Sequence, residues 1–499
     1  MSAFIDARTV PDGTVLEPDL AIVGGGPAGI SIALALANTP LRVVLLESGG
    51  MSFDPATQAL YNGAKTGVKY LGLEASRMRF LGGSTNIWGG WSRPMDRIDF
   101  EERNWMPHSG WPFGLEALAP HYARAQALCE AGPWLYEKAE HWPQSEMPTV
   151  PLGAGGVATR WFQFSKMRGS LLPTHFGERY ADDLKKVRNL TTYLHANVTR
   201  LGLSPNGGKI GRLDVATLNG HHFSLKPKAV ILAAGAVEIA RLMLASNDVM
   251  PAGVGNANDV VGRYFADHPI PRDIGTVILF DGKLEPYYLT TQTMHGAILR
   301  AGLFPSEAYR RSKAMLDSSI TIESKTLLDV LGKTTVATTA AALGVDASKA
   351  AAFTLGGGCE VTPDPDCRIT LDSERDALGV PRVKLQMKLA DSDLAHFRAT
   401  LKELGRQLLA SRAGMIRLNM KERGQWLTGL DWGNHHMGTT RAHVDPKKGV
   451  VDANLQVHGV ANLYVVGSAV YPTYGAVNPT LSIVAMALRL ADHVKGLLK

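Results

Sequence analysis

The chain predicts a mixed architecture, α/β joined to α+β: one part on a parallel sheet covered by helices, the other on an antiparallel sheet. Three observations carry this. Short, mostly apolar runs at residues 20–23, 42–46 and 229–232 read as buried parallel strands, each followed by a helical or turn stretch. Between about residues 272 and 430 the runs change character, and 275–280 and 382–387 read as strands of an antiparallel sheet, the second with polar and apolar residues in alternation. With 499 residues the chain exceeds what one hydrophobic core usually organises, so two domains, possibly discontinuous, are expected.

The first element in order is the strand at 21–23. Gly24, Gly26 and Gly29 follow it in the spacing G-x-G-x-x-G. The first glycine permits a tight turn, the second lets backbone approach a pyrophosphate, and the third lets the next helix pack on the strand. A helix over about 29–38 would aim its positive N-terminal dipole at phosphate, with Pro27 and Ala28 in the turn that leads to it. Glu47 ends the next strand, at the spacing of an acid that holds a ribose hydroxyl. Strand, glycines, helix, strand and acid in this order read as a Rossmann-like dinucleotide cradle.

Residues 51–80 read as an extended surface excursion. It leads to 82–90, where Gly82, Gly83, Gly89 and Gly90 are too dense for a helix interior and suit backbone laid against a flat ligand. Residues 114–131 read as an amphipathic helix. A hairpin is expected around Asn206, Gly207 and Gly208, and a second strand–helix unit at 229–245. The Ala- and Thr-rich stretch 325–353 reads as a helical insertion or flap, 391–411 as an amphipathic helix, and 480–497 as a terminal helix. The expected division is 1–130, 194–271 and 431–499 in the nucleotide-binding domain, and 131–193 with 272–430 in the substrate-binding domain.

Bulk properties exclude several classes. The net charge of +6 is dispersed without a long basic run, so nucleic acid is not implied. Cys129, Cys359 and Cys367 match neither a C-x-x-C pair nor a zinc set, so no metal is expected. Three cysteines suit a reducing cytoplasm, and the first residues carry no basic stretch followed by an apolar core. No window has the length of a charge-free membrane span.

The chemistry-bearing residues cluster near the C-terminus. His435 begins His-x-x-Gly-Thr, and Asn478 precedes Pro479. A histidine suits proton removal from an alcohol, and an asparagine amide can hold the oxygen and stabilise charge developing on it. His436, if extended, would point away from His435 and is read as packing. His268 is read as structural.

These segments, in this order, resemble the glucose–methanol–choline (GMC) flavoprotein oxidoreductases. The resemblance rests on 24–29 with Glu47, 82–86, 233–238, 261–269, 435–439 and 467–480, and it spans nearly the whole chain. It implies a Rossmann-like FAD-binding domain with a discontinuous substrate domain on an antiparallel sheet. It implies FAD, with Gly24, Gly26, Gly29 and Glu47 on its ADP half and Gly83, Ser84, Thr85, Asn86 and Ile87 along the flavin. Val198 would contact adenine through its backbone, with Ala234 and Gly235 nearby. Gly467, Ser468, Asn478, Pro479 and Thr480 would meet the pyrophosphate, ribityl and isoalloxazine regions. Ser468 departs from the aspartate many members carry. The loop 84–88 lacks the histidine that links FAD covalently in some members, so non-covalent FAD is expected.

Within the family the chain is most similar to the pyranose oxidase and bacterial glycoside 3-oxidase branch, which places Asn-Pro-Thr at the position of 478–480. That implies oxidation of a secondary ring hydroxyl, with C3 of glucosides, C-glycosides included, favoured over C2 of a free pyranose. Hydride would pass to flavin N5, and oxygen or a quinone-type acceptor would reoxidise the flavin. A separate enzyme could then eliminate the aglycone from the 3-keto product. Candidate sugar contacts are Thr290, Gln292, His295, Glu360, Asn434 and Thr440. The rival readings are a GMC dehydrogenase of a non-sugar alcohol, a subunit of a membrane-tethered sugar dehydrogenase, and a flavin-binding structural protein.

Overall fold

A computed structural model describes residues 3–136, 147–168, 173–419 and 429–498. Its nucleotide half is a six-stranded parallel sheet whose spatial order is Ala3–Asp6, Leu190–Leu194, Val43–Leu46, Leu20–Val23, Ala229–Leu232, Leu463–Val465. The four central strands pair in parallel register, for example Val23 with both Leu46 and Leu232, and they are almost wholly buried. Sheets covered on both faces need such unbroken apolar runs. The helices Pro27–Ala35 and Thr480–Leu497 pack on one another beside this sheet, and Ala236–Ala245 follows the strand Ala229–Leu232.

The second half centres on an antiparallel sheet: Gly414–Leu418, Gly275–Leu279, Ala351–Cys359, Ser318–Thr326, Ala297–Pro305, Val157–Phe164 and Trp91–Ser92 in spatial order. The helix Asp391–Ala410 covers one face with Leu394, Phe397, Leu401, Leu404 and Leu408 at helical spacing, all buried. The Ala- and Thr-rich stretch contains the helix Val330–Leu343, held to the sheet through Val336 and Leu343.

The chain crosses between the two halves more often than its hydropathy suggests. The expectation for 131–193 is corrected at its end. The helix Phe176–Lys186 leads into the strand Leu190–Leu194, which lies between Ala3–Asp6 and Val43–Leu46 in the parallel sheet. Residues 368–375 and 381–387 form a hairpin, but it pairs with Gly63–Gly67 of the early excursion. The amphipathic helix expected over 114–131 covers only Ala119–Leu128, preceded by a single tight turn. The parts of 131–193 and 272–430 at 137–146, 169–172 and 420–428 lie outside the described residues.

Candidate active site

A cavity of about 620 Å³ runs along the C-terminal ends of the parallel strands and on to the antiparallel sheet. Ligands in open α/β sheets bind at that edge. Gly24, Gly26, Pro27 and Ala28 line its first part, together with Glu47. Gly24 has φ +108, and a Cβ there would sit 2.8 Å from the backbone of Ala233, so only glycine fits the turn. A Cβ on Gly26 would meet nothing within 4 Å. Gly29 does not line the cavity: a Cβ there would overlap the Gly24 carbonyl, so it serves the helix–strand packing expected of a third glycine.

Glu47 is buried, and its two carboxylate oxygens accept the Gly25 and Gly49 N–H groups, each at 2.8 Å. Burial pushes its pKa up from the usual carboxylate range. The helix Pro27–Ala35 starts with no side-chain cap, as does Thr480–Leu497, and both N-termini abut the cavity. Open N–H groups and the helix dipole there suit an anionic diphosphate and an electron-rich ring edge. Val198, Ala234 and Gly235 line the far end, beside Arg79 and Glu238. Burial would raise Glu238, but Arg77, Arg241 and Arg79 hold it down at about 2.

Gly83, Ser84, Thr85 and Ile87 also line the cavity. Asn86 does not, because its amide turns back into its own loop and donates to the carbonyls of Leu81 and Gly83 at 3.1 and 2.9 Å. Gly467, Ser468, Asn478, Pro479 and Thr480 complete the lining. Ser468 donates its hydroxyl to the His436 carbonyl at 2.6 Å and so ties the two C-terminal segments together.

The two chemical candidates meet: the Asn478 amide nitrogen lies 3.2 Å from His435 Nε2. His435 is carried on a short antiparallel pairing of 264–268 with 433–437, in which Ala266 bridges Met437 and Gly433 N–H donates to the His268 carbonyl. Asn434 turns the chain there with φ +58, a conformation asparagine tolerates. This pairing brings His268 onto His435, Nδ1 to Nδ1 at 2.8 Å, while His268 Nε2 faces the Gly475 carbonyl at 2.8 Å. The Asp267 carboxylate accepts the backbone N–H groups of His268 (2.7 Å) and His435 (2.8 Å) and the Tyr70 hydroxyl. Burial pushes Asp267 up to about 7 against these donors, holds His268 down at about 4, and sets His435 well below the ordinary imidazole value. His436 packs against Tyr70 and Phe265, with burial lowering its pKa to about 3.

Of the six expected sugar contacts, only Asn434 lines the cavity. Thr290 and His295 are exposed near the edge hairpin Gln292–Met294, and Gln292 is half-buried there. Thr440 is fully buried, its backbone N–H bonded to Ala469. Glu360 is also fully buried, in a two-pronged ion pair with Arg103 at 2.9 and 3.0 Å. Polarity alone does not mark these positions as lining: Glu360 is spent on Arg103, while Thr290, Gln292 and His295 lie at an edge hairpin outside the cavity.

Other residues line the sheet end of the cavity: Arg300, Ser319, Thr321 and Glu323, with the rings of Trp91 and Phe162. Ser319, Thr321 and Glu323 alternate along one face of the strand Ser318–Thr326. Thr321 donates to Glu323, and Arg300 pairs with Glu323 at 3.2 Å across the strands. The neighbouring strand passes them with Gly356, Gly357 and Gly358. A Cβ at Gly358 would stand 3.9 Å from that of His268, which seats this polar row beside the histidines. The alternation and the three glycines were visible signals for a ligand-facing strand.

Residues 19–316 match the FAD dependent oxidoreductase family, and residues 363–487 match the GMC oxidoreductase C-terminal region. The protein is an FAD-dependent oxidoreductase of the GMC family. The GMC chain is 29% identical to the fructose dehydrogenase large subunit of Gluconobacter japonicus over 54% of its own length and 48% of that protein, about half of the relative. It is 26% identical to paromamine 6'-oxidase of Streptomyces fradiae, over 96% of this chain and 91% of that one. It is 32% identical to C-glycoside 3-oxidase of Microbacterium trichothecenolyticum over 25% of this chain and 23% of that one. The fold matches that of pyridoxine 4-oxidase from Mesorbium loti with a TM-score of 0.57, 18% identity and coverage of 95% and 98%. Two uncapped helix N-termini, a Gly26 with open space at its Cβ, and the elongated cavity fit FAD. Among the described residues no helix is long and apolar enough to cross a membrane.

Proposed function

We propose that this GMC oxidoreductase oxidises a secondary ring hydroxyl of a pyranose or glycoside to a ketone, with C3 of glucosides, C-glycosides included, as the preferred position. The observation that carries the sugar reading is the wall of Arg300, Ser319, Thr321 and Glu323 with Trp91 and Phe162. A sugar ring has an apolar C–H face that suits an aromatic ring, and hydroxyls that match a row of hydroxyl, carboxylate and guanidinium groups. An apolar alcohol such as a sterol would strip water from those groups and return no hydrogen bonds. The preference for C3 draws on the similarity to C-glycoside 3-oxidase; the 6' position named for the longer relative is the competitor.

In this reading His435 Nε2 takes the hydroxyl proton, and the Asn478 amide donates to the oxygen as negative charge develops on it. Bound FAD supplies the two-electron acceptor for the hydrogen that leaves carbon. His435 is suited to this because burial keeps it neutral at neutral pH, with a lone pair ready. Asn478, Pro479 and Thr480 would hold the isoalloxazine, Gly24 and Gly26 the diphosphate, and Glu47 the ribose. Non-covalent attachment is part of the proposal.

The test is anaerobic bleaching of the yellow protein with a panel of glucosides, free pyranoses and simple alcohols, followed by NMR of the product. Bleaching by glucosides with a 3-keto product supports the reading. A 2-keto or 6-aldehyde product overturns the position. Bleaching only by non-sugar alcohols overturns the substrate class.

A further inference from the structure

We propose that His268, which its sequence context marked as structural, is a positioning residue that fixes the tautomer and ring plane of His435. This deepens the reading of His435 as the base and rests on it. The argument is a chain of hydrogen bonds in which only one arrangement of protons works. The Gly475 carbonyl can only accept, so the His268 nitrogen 2.8 Å from it, Nε2, carries a proton. A neutral imidazole has a single N–H, so His268 Nδ1 is a bare lone pair. His435 Nδ1 stands 2.8 Å from that lone pair and must therefore be the donor. A neutral His435 with its proton on Nδ1 has a bare Nε2, and that nitrogen meets the amide of Asn478 at the cavity. The opposite tautomer of His435 would bring two lone pairs together at hydrogen-bond distance inside a buried site.

Both rings are neutral for the same reason. Burial disfavours their charged forms, outweighing the Gly475 carbonyl and Glu360 at His268, and a charge on His268 would further disfavour one on His435. The backbone adds a second grip. Asp267, next to His268, accepts the backbone N–H of His435, so the dipeptide holds the base at both its main chain and its ring. Tyr474 meets the His268 ring edge-on at 5.0 Å, and the two histidine rings stand at 85° to each other.

The arrangement also limits where a proton can go. When His435 Nε2 receives the substrate proton, its Nδ1–H becomes a charge-assisted donor to His268. His268 cannot pass a proton onward, because its other nitrogen already holds one against a carbonyl. The proton therefore stays on His435, and His268 performs the orienting task that a carboxylate performs in a hydrolytic triad, without adding charge.

The test combines a spectroscopic and a kinetic readout on the FAD-loaded enzyme. Long-range ¹H–¹⁵N correlation of [¹⁵N]histidine-labelled protein reports tautomers without any substrate; signals are assigned with His435→Gln and His268→Asn. In the wild type we expect His268 protonated on Nε2 and His435 on Nδ1. His268→Leu, which has no acceptor, should shift His435 toward the Nε2–H form. It should also slow single-turnover bleaching at least about tenfold at unchanged FAD content. His268→Asn, whose amide oxygen can accept from His435 Nδ1, should recover part of that loss. An Nε2-protonated His435 in the wild type overturns the proposal by itself, even if His268→Leu does not fold. Equal loss in His268→Leu and His268→Asn, or an unchanged His435 tautomer in His268→Leu, also overturns it. Failure to find any reducing substrate would count against the sugar reading and leave the tautomer measurement decisive here.

Discussion

Glu360 accepts the backbone N–H of Gly475 at 3.1 Å, three residues before Asn478, while its carboxylate grips the Arg103 guanidinium. Around it, the guanidinium groups of Arg93, Arg103, Arg160 and Arg310 face the carboxyl groups of Asp96, Asp99, Asp317 and Glu360 in a largely buried cluster. Asp317 accepts the Ala476 N–H at 3.0 Å, and Thr473 donates to the Asp99 carbonyl at 2.6 Å. This charge cluster therefore clamps the loop that presents Asn478 and the Gly475 carbonyl. Gly475 has φ +61, and a Cβ on it would stand 2.7 Å from Asp99.

Removing the Glu360 charge should cost both stability and rate. Burial would raise Glu360, but Arg103 and Arg310 hold it at about 2, so it is ionised throughout the working range. Glu360→Gln leaves buried guanidinium charge uncompensated, which typically costs about 3–5 kcal/mol. We expect a lower melting temperature and slower flavin bleaching, measured by thermal unfolding and stopped flow. A loss of rate in enzyme that melts like the wild type would mean that Glu360 acts on the loop alone.

Asp267→Asn should loosen the pairing that carries His435. The Asp267 neighbours that reach its carboxylate are donors: Tyr70 O–H and the N–H groups of His268 and His435. An amide can accept on one atom only, so a donor is left unpaired at a cost of about 1–3 kcal/mol. Asp267 is raised to about 7, so between the ordinary carboxylate range and pH 7 the native state binds the extra proton. Its contribution to stability accordingly falls as pH rises through that window. The asparagine variant should show a flatter dependence in pH-resolved denaturant melts.

His435→Ala should leave FAD bound and reduce the bleaching rate by about 10²–10⁴-fold, and Asn478→Ala by about 10²–10³-fold. Because burial sets the His435 pKa well below the usual imidazole range, its base form persists as pH falls through 6.5. The bleaching rate of the wild type should show no acid limb at an ordinary imidazole value and should fall only at lower pH. Rapid-mixing kinetics across pH check this. Full-speed reduction by the alanine variant of His435 would refute its role.

Two glycine substitutions separate cofactor binding from folding. Gly26→Ala adds a methyl into open space at the cavity, so the protein should fold but bind FAD more weakly. Gly29→Ala would press on the Gly24 carbonyl and should lower the stability of the protein itself. The ratio of flavin to protein absorbance, read beside the melting temperature, distinguishes the two.

The cofactor should leave on acid precipitation. The loop 84–88 contains no histidine to form a link. We expect all yellow colour in the supernatant of precipitated protein, and retention of flavin by the pellet would refute non-covalent binding.

The sequence alone marked the glycine-rich turn with its flanking strands and singled out His435 and Asn478, the pair proposed here to carry the chemistry. Gly24, Gly26 and Glu47 were legible because a tight turn and a helix start demand particular residues at short range. His435 and Asn478 were legible through their short motifs, although only folding showed them 3.2 Å apart. Tertiary structure decided what depends on contacts distant in sequence. His268 reads as a packed histidine until an antiparallel pairing with residues 433–437 lays it on His435. Glu360 reads as a polar substrate contact until Arg103, 257 residues earlier, neutralises it in the interior. Arg300 and Glu323 become one wall only when their strands pair. A side chain's polarity is written in the chain, but whether it faces a ligand or a buried partner is set by which distant strand arrives beside it.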